Sequence, residues 1–72
     1  MLDLALGKRL AEERKRLGLK QAEFAQRLGI EPAKQSLLET GNRDLRAAYL
    51  AQLPALGVDV LYIRTGKRST AR

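Results

Sequence analysis

Apolar residues recur along the chain at helical spacing, in blocks that glycines separate. In the first block Leu4, Leu6, Leu10 and Leu17 mark one face, and "EERKR" (Glu12–Arg16) falls on the wet side. This predicts a helix capped by Asp3, running to about Leu17 and stopped by Gly18. "QAEFAQRL", Gln21 to Leu28, predicts a second helix that buries Ala22, Phe24, Ala25 and Leu28. Gly29 ends it, and Ile30 turns inward. Pro32 suits a first helical position, having no N–H to lose there, so a third helix starts at Pro32 and runs to about Thr40, before Gly41. A polar loop, "GNRD", leads to a fourth helix at roughly Leu45 to Leu56, with Tyr49, Leu50, Leu53 and Leu56 on one face. Pro54 should bend or shorten it. After Gly57, "VDVLYI" makes a short last helix with Asp59 near its N-terminus. Strand signals are nearly absent, so the expected fold class is all-α with five helices. The segments between the glycines are rich in helix formers. The basic stretch "RTGKRSTAR" has no apolar face and reads as a mobile tail, dividing the chain into a domain at 1–66 and a flexible basic tail at 67–72.

Composition narrows the function classes. Seventy-two residues suffice for one domain, and a core this small needs disulfides, metal, a dimer or tight helix packing. Cysteine and histidine are both absent, which excludes disulfides and the usual zinc sites and leaves packing or a dimer. Fourteen Lys and Arg against eight Asp and Glu give a net charge of +6, which fits a polyanionic partner. Without histidine or cysteine, and with carboxylates that all have helical or capping explanations, an enzyme is not expected. Nor is a cofactor, a metal or a small-molecule substrate. No apolar run approaches the ~18 residues of a spanning helix, and the basic residues do not line one face opposite a broad apolar one. No membrane partner is therefore expected, and the anticipated location is the cytoplasm.

The second and third helices are joined by a turn of about four residues, the spacing of a helix-turn-helix. Ala25 is small enough for a close helix crossing, Gly29 suits a left-handed turn, and Ile30 and Leu38 supply an apolar lock. "RLGLKQAEFAQRLGI", the "LETG" that closes the third helix and "LPALGVDVLYIRTG" together resemble the DNA-binding domains of lambdoid phage repressors and Cro proteins, over about Lys8 to Gly66. The resemblance implies a compact five-helix DNA-binding domain. It also implies that Gln21, with Lys20 before it, binds a DNA phosphate, a role for which an amide, an ammonium and free helix-end N–H groups are chemically suited. Asn42 and Arg43, in the loop after the third helix, are further phosphate candidates by the same likeness, with Arg46 beyond them. Arg14 and Glu39 match a structural ion pair that ties the first helix to the end of the third.

The base-contacting positions implied by the resemblance fall on Pro32, Ala33, Lys34 and Leu37. Bidentate readout of adenine uses Asn or Gln, and of guanine Arg or Lys. Only Lys34 fits that description; Ala33 and Leu37 can contact a thymine methyl, and Glu31 just before the helix can accept from a cytosine amino group. Gln35 stands where many relatives bury an aliphatic residue, and the expectation is an amide hydrogen-bonded to nearby backbone. The implied function is a small transcriptional regulator, a phage or prophage Cro-type repressor that binds double-stranded DNA at a palindromic operator as a homodimer. Val58, Leu61, Tyr62 and Ile63 are more apolar than a small monomer easily buries and are assigned to the dimer interface, with capping of the monomer core as the competing reading. The alternative function is a protein-interaction module, an antitoxin or polymerase-binding adaptor, whose third helix presents Pro32, Ala33 and Leu37 to a protein partner.

Overall fold

The first helix, α1, spans Leu4–Arg16. The computed structural model describes residues 4–41 and 45–68, so Asp3, proposed as the cap of α1, lies outside the described residues. Helix α2 spans Gln21–Leu28 and α3 Pro32–Glu39, as the glycine and proline punctuation dictates. Between them Gly29 adopts φ 71°, a left-handed conformation that side chains disfavour, and the Ile30 N–H donates to the Ala25 carbonyl at 3.0 Å. That closure turns the chain through a few residues and sets α3 against α2.

Pro54 divides the predicted fourth helix. Helix α4 runs only from Ala47 to Gln52, and Leu53–Leu56 form a tighter 3-10 turn. Proline at the second position of that turn has no N–H to donate to the preceding helical ladder. Helix α5 spans Val60–Thr65, beginning two residues later than "VDVLYI" suggests because Asp59 is its cap. The Asp59 carboxylate accepts from the Tyr62 N–H at 3.0 Å, which leaves Val58 and Asp59 outside the helix. No strand occurs among the described residues, and the fold is all-helical.

Leu10, Phe24, Leu28, Leu38, Tyr49, Leu53, Val58 and Ile63 form the core, with Leu6, Leu17, Leu19, Ile30, Leu45, Leu50, Leu56 and Val60 packed around it. Each side chain fully buried in such a core contributes about 1.5–3 kcal/mol relative to exposure. Gly7 lets α1 approach the end of α3 closely: a Cβ there would sit 2.5 Å from the Glu39 carbonyl oxygen.

Four expectations need correction. Ala22 is exposed, because Phe24, Leu28 and Ala25 occupy an arc of about 100° on α2 and Ala22 lies outside it. Val58 and Ile63, assigned to a dimer face, are buried inside the monomer, so that assignment fails for both. Within "EERKR", assigned to the wet side, Glu13 is buried, as is Arg14, whose pairing with Glu39 the resemblance anticipates. Glu13 takes hydrogen bonds from Arg16 at 2.8 and 3.0 Å, from the Asp59 N–H at 2.8 Å and from Arg68. Finally, the start of the segment expected to be a free tail is fastened. The Arg68 guanidinium pairs with Glu13 and stacks 3.9 Å from the centre of the Tyr62 ring.

Candidate nucleic-acid interface

On α3, successive residues are about 100° apart, so Leu38, Gln35 and Glu39 share the inward arc. All three are buried. Pro32, Ala33, Lys34 and Leu37 are exposed, and Leu37 keeps 36% of its surface accessible although it is a large apolar residue. The four positions expected to meet bases therefore lie on one outward face. Ala33 and Leu37, one helical turn apart, stand at its centre, with Lys34 at one edge and Pro32 at the other.

Behind that face lies a buried polar network, of which only one link was anticipated. Arg14 meets Glu39 through two parallel bonds, Nε to Oε2 at 2.7 Å and a terminal nitrogen to Oε1 at 3.1 Å. Arg14 also donates to the Leu19 carbonyl at 2.8 Å, at the entry to α2. Gln35 is fully buried. Its Nε2 donates to Glu39 Oε2 at 2.8 Å, and its Oε1 accepts from the Tyr49 hydroxyl at 2.7 Å. The expected partner of Gln35 was backbone; the partners are side chains of α3 and α4. Burial pushes the Glu39 carboxyl up, but donation from Arg14, Gln35 and Gln21 outweighs this and holds it below the usual carboxylate range. Burial raises the Tyr49 hydroxyl, so it stays protonated and serves as a donor. Among the described residues no buried side-chain nitrogen or oxygen lacks a partner, so the network is closed.

At the start of α2, Lys20 is exposed and its backbone N–H donates to Glu23 Oε1 at 2.8 Å. Gln21 is half-buried, and its Nε2 donates to Glu39 Oε1 at 3.0 Å. One N–H of the amide is thus engaged by the network, and an amide nitrogen carries two. The Glu39 carboxylate consequently joins the end of α3 to the start of α2. Asn42 and Arg43 lie outside the described residues, while Arg46, at the cap of α4, is exposed. Among the described residues the ion pairs engage Arg14, Arg16 and Arg68, and leave Lys20, Lys34 and Arg46 to solvent.

Sequence reasoning missed Glu13, Tyr49 and Gln21 as members of buried or half-buried polar clusters. Apart from Arg16, three positions from Glu13, the partners lie 14 to 55 positions away, and no local periodicity encodes them. Of the residues assigned to a dimer face, only Leu61 is strongly exposed, at 48%. Tyr62 is half-buried beneath Arg68, and its hydroxyl donates to Glu12. An open apolar groove lies nearby, lined by Leu6, Leu45, Leu50, Pro54, Val60 and Arg64.

Comparison with known proteins agrees with this geometry. A family model described as "Helix-turn-helix domain" matches residues 5–60. Among solved structures, the crystal structure of the clp gene regulator ClgR from C. glutamicum superposes with a TM-score of 0.77. It is 31% identical, with 85% of this chain and 80% of that chain covered. No curated protein matches significantly. The match spans α1 to the start of α5 and includes both helices of the turn motif. The chain belongs to the helix-turn-helix domain family.

Proposed function

We propose that the protein is a DNA-binding transcriptional regulator that lays the outward face of α3 in the major groove. The observation that supports this best is the division of α3: every polar side chain the scaffold needs from it is turned inward, and Pro32, Ala33, Lys34 and Leu37 are left outside. The start of α2 supplies the backbone contacts. Lys20 brings an ammonium, and Gln21, steadied by Glu39, has a second N–H for a phosphate oxygen. Asn42 and Arg43 extend that track in the proposal. The family and the likeness to a gene regulator support the same reading.

In its finer form the proposal is a Cro-type repressor of phage or prophage origin, acting as a homodimer on a palindromic operator in the cytoplasm. With Val58 and Ile63 used by the core, the face left for a second copy is the groove between Leu6, Leu50, Pro54 and Val60 together with Leu61. Two such domains would address half-sites about one helical turn, roughly 34–36 Å, apart. No helix of the described residues is long and apolar enough to cross a membrane.

Binding to a pool of random duplexes over a salt series tests the proposal. Lys20 and Arg43 from two protomers neutralise about four phosphates, so log K should fall with log salt at a slope of about −4. A palindromic motif should emerge from the retained fraction. Absence of any binding at low salt would defeat the proposal. It would favour the one alternative with an observation behind it, docking of the apolar Ala33–Leu37 face on a protein partner.

A further inference from the structure

The outward face of α3 is nearly devoid of the groups that read base edges by hydrogen bonding. Around the helix, at about 100° per residue, the outward arc runs Pro32, the half-buried Ser36, Ala33, Leu37, Lys34. Gln35 could have read adenine, but both ends of its amide are occupied by Glu39 and Tyr49 inside the scaffold. What remains outward at the centre of the arc is a methyl and an isobutyl group, Ala33 and Leu37, four residues apart and so about 6 Å along the axis. Base pairs rise by about 3.4 Å, so this stripe spans about two of them. In the major groove the one apolar group a base pair presents is the 5-methyl of thymine.

We propose that α3 reads methyl groups: Ala33 and Leu37 pack on the 5-methyls of two successive thymines, and Lys34, at the edge of the stripe, anchors on the acceptor edge of a neighbouring guanine. This rests on the DNA-binding reading above and gives it a specificity. The charge around the stripe favours DNA over an apolar protein surface as its occupant. Lys34 borders it, Lys20 and Arg46 are exposed on neighbouring elements, and the chain carries +6. The shape of the stripe has a consequence for selectivity: it discriminates by methyl contact, so few positions of the operator should be strongly specified, and those should be adjacent thymines.

The test removes the methyl and nothing else. The site selected by the wild-type protein is resynthesised with deoxyuridine in place of each thymine in turn, leaving Watson–Crick pairing intact. Affinity is then measured by fluorescence anisotropy at fixed salt. Two adjacent substitutions should each weaken binding about 4-fold, the effect of one methyl leaving an apolar contact. At the position that faces Leu37, the uridine effect should vanish in Leu37→Ala, an exposed substitution that leaves the fold intact by circular dichroism. A sharply selected site at which every uridine substitution is neutral overturns methyl reading while leaving DNA binding in place. Failure to bind any duplex at low salt overturns both.

Discussion

Replacing Gly7 by alanine sets two magnitudes of opposite sign against each other. Gly7 is inside α1, where alanine is the better helix former by about 1 kcal/mol. Propensity alone therefore predicts a more stable protein. The packing of α1 on α3 predicts the reverse. A Cβ at this position would lie 2.5 Å from the Glu39 carbonyl oxygen, 2.7 Å from that of Leu38 and 2.9 Å from the Glu39 carbonyl carbon. All three are backbone atoms, so no rotamer change relieves the contact and the helices must separate. Overpacking typically costs about 1–3 kcal/mol, and an unrelieved backbone clash belongs at the upper end of that range. Subtracting the helical gain leaves a net loss of about 2 kcal/mol, or a fall in Tm of roughly 10 °C for a domain of this size. Urea and thermal unfolding of Gly7→Ala measure it, with Lys8→Ala, at an exposed neighbouring position, as the control that should change little. A Gly7→Ala protein as stable as wild type, or more stable by the propensity increment, would refute the close approach of α1 to α3.

Three further outcomes follow from the polar clusters and the charged rim. Tyr49→Phe leaves the buried Gln35 Oε1 without its donor and should cost about 1–3 kcal/mol in urea unfolding, whereas Tyr49→Phe with Gln35→Leu should cost less than the sum of the single changes. Donation from Arg16, opposed by burial and aided by the Asp59 N–H and Arg68, holds the Glu13 carboxyl at about 2 against an ordinary 4.5. The folded state thus binds fewer protons than the unfolded one, so this contribution to stability is complete above about pH 4.5 and is lost as pH falls toward 2. Glu13→Gln should remove that part of the acid limb in a pH series of denaturation curves. Lys20→Ala should weaken binding to all duplexes about equally and make the salt slope shallower by about 1 per protomer, read from anisotropy titrations.

The order and approximate bounds of the helices were legible because apolar spacing, Pro32 and the glycines are local signals. So was the outward set on α3, through the resemblance and the helical period. What was not legible depends on partners remote in sequence. Glu13 sits in a run of charges that looks solvated, yet Asp59 and Arg68 arrive from 46 and 55 positions away to help satisfy it, whereas the Arg14–Glu39 pair was legible through the resemblance. Gln35 raised the question of what an amide does at a buried site. The answer needed Tyr49, whose hydroxyl reaches it only once α4 has packed. Val58 and Ile63 were assigned outward because a small chain was expected to have more apolar surface than it can cover. The 3-10 turn at Leu53–Leu56 brings the chain back so that both are covered by the monomer itself. Composition recorded the excess of basic residues but could not tell paired from unpaired ones, and Arg16 and Arg68 proved to be structural.

Mapping the protein's backbone amide resonances during titration with its selected duplex tests the central claim most directly. The account predicts that the largest shifts fall on residues 33–37 of α3 and on Lys20 and Gln21, with Leu50, Ala51 and Val60 of the groove responding only if a second copy assembles there. Shifts confined to α4 and α5, with α3 unmoved at saturation, would contradict the assignment of α3 as the reading helix.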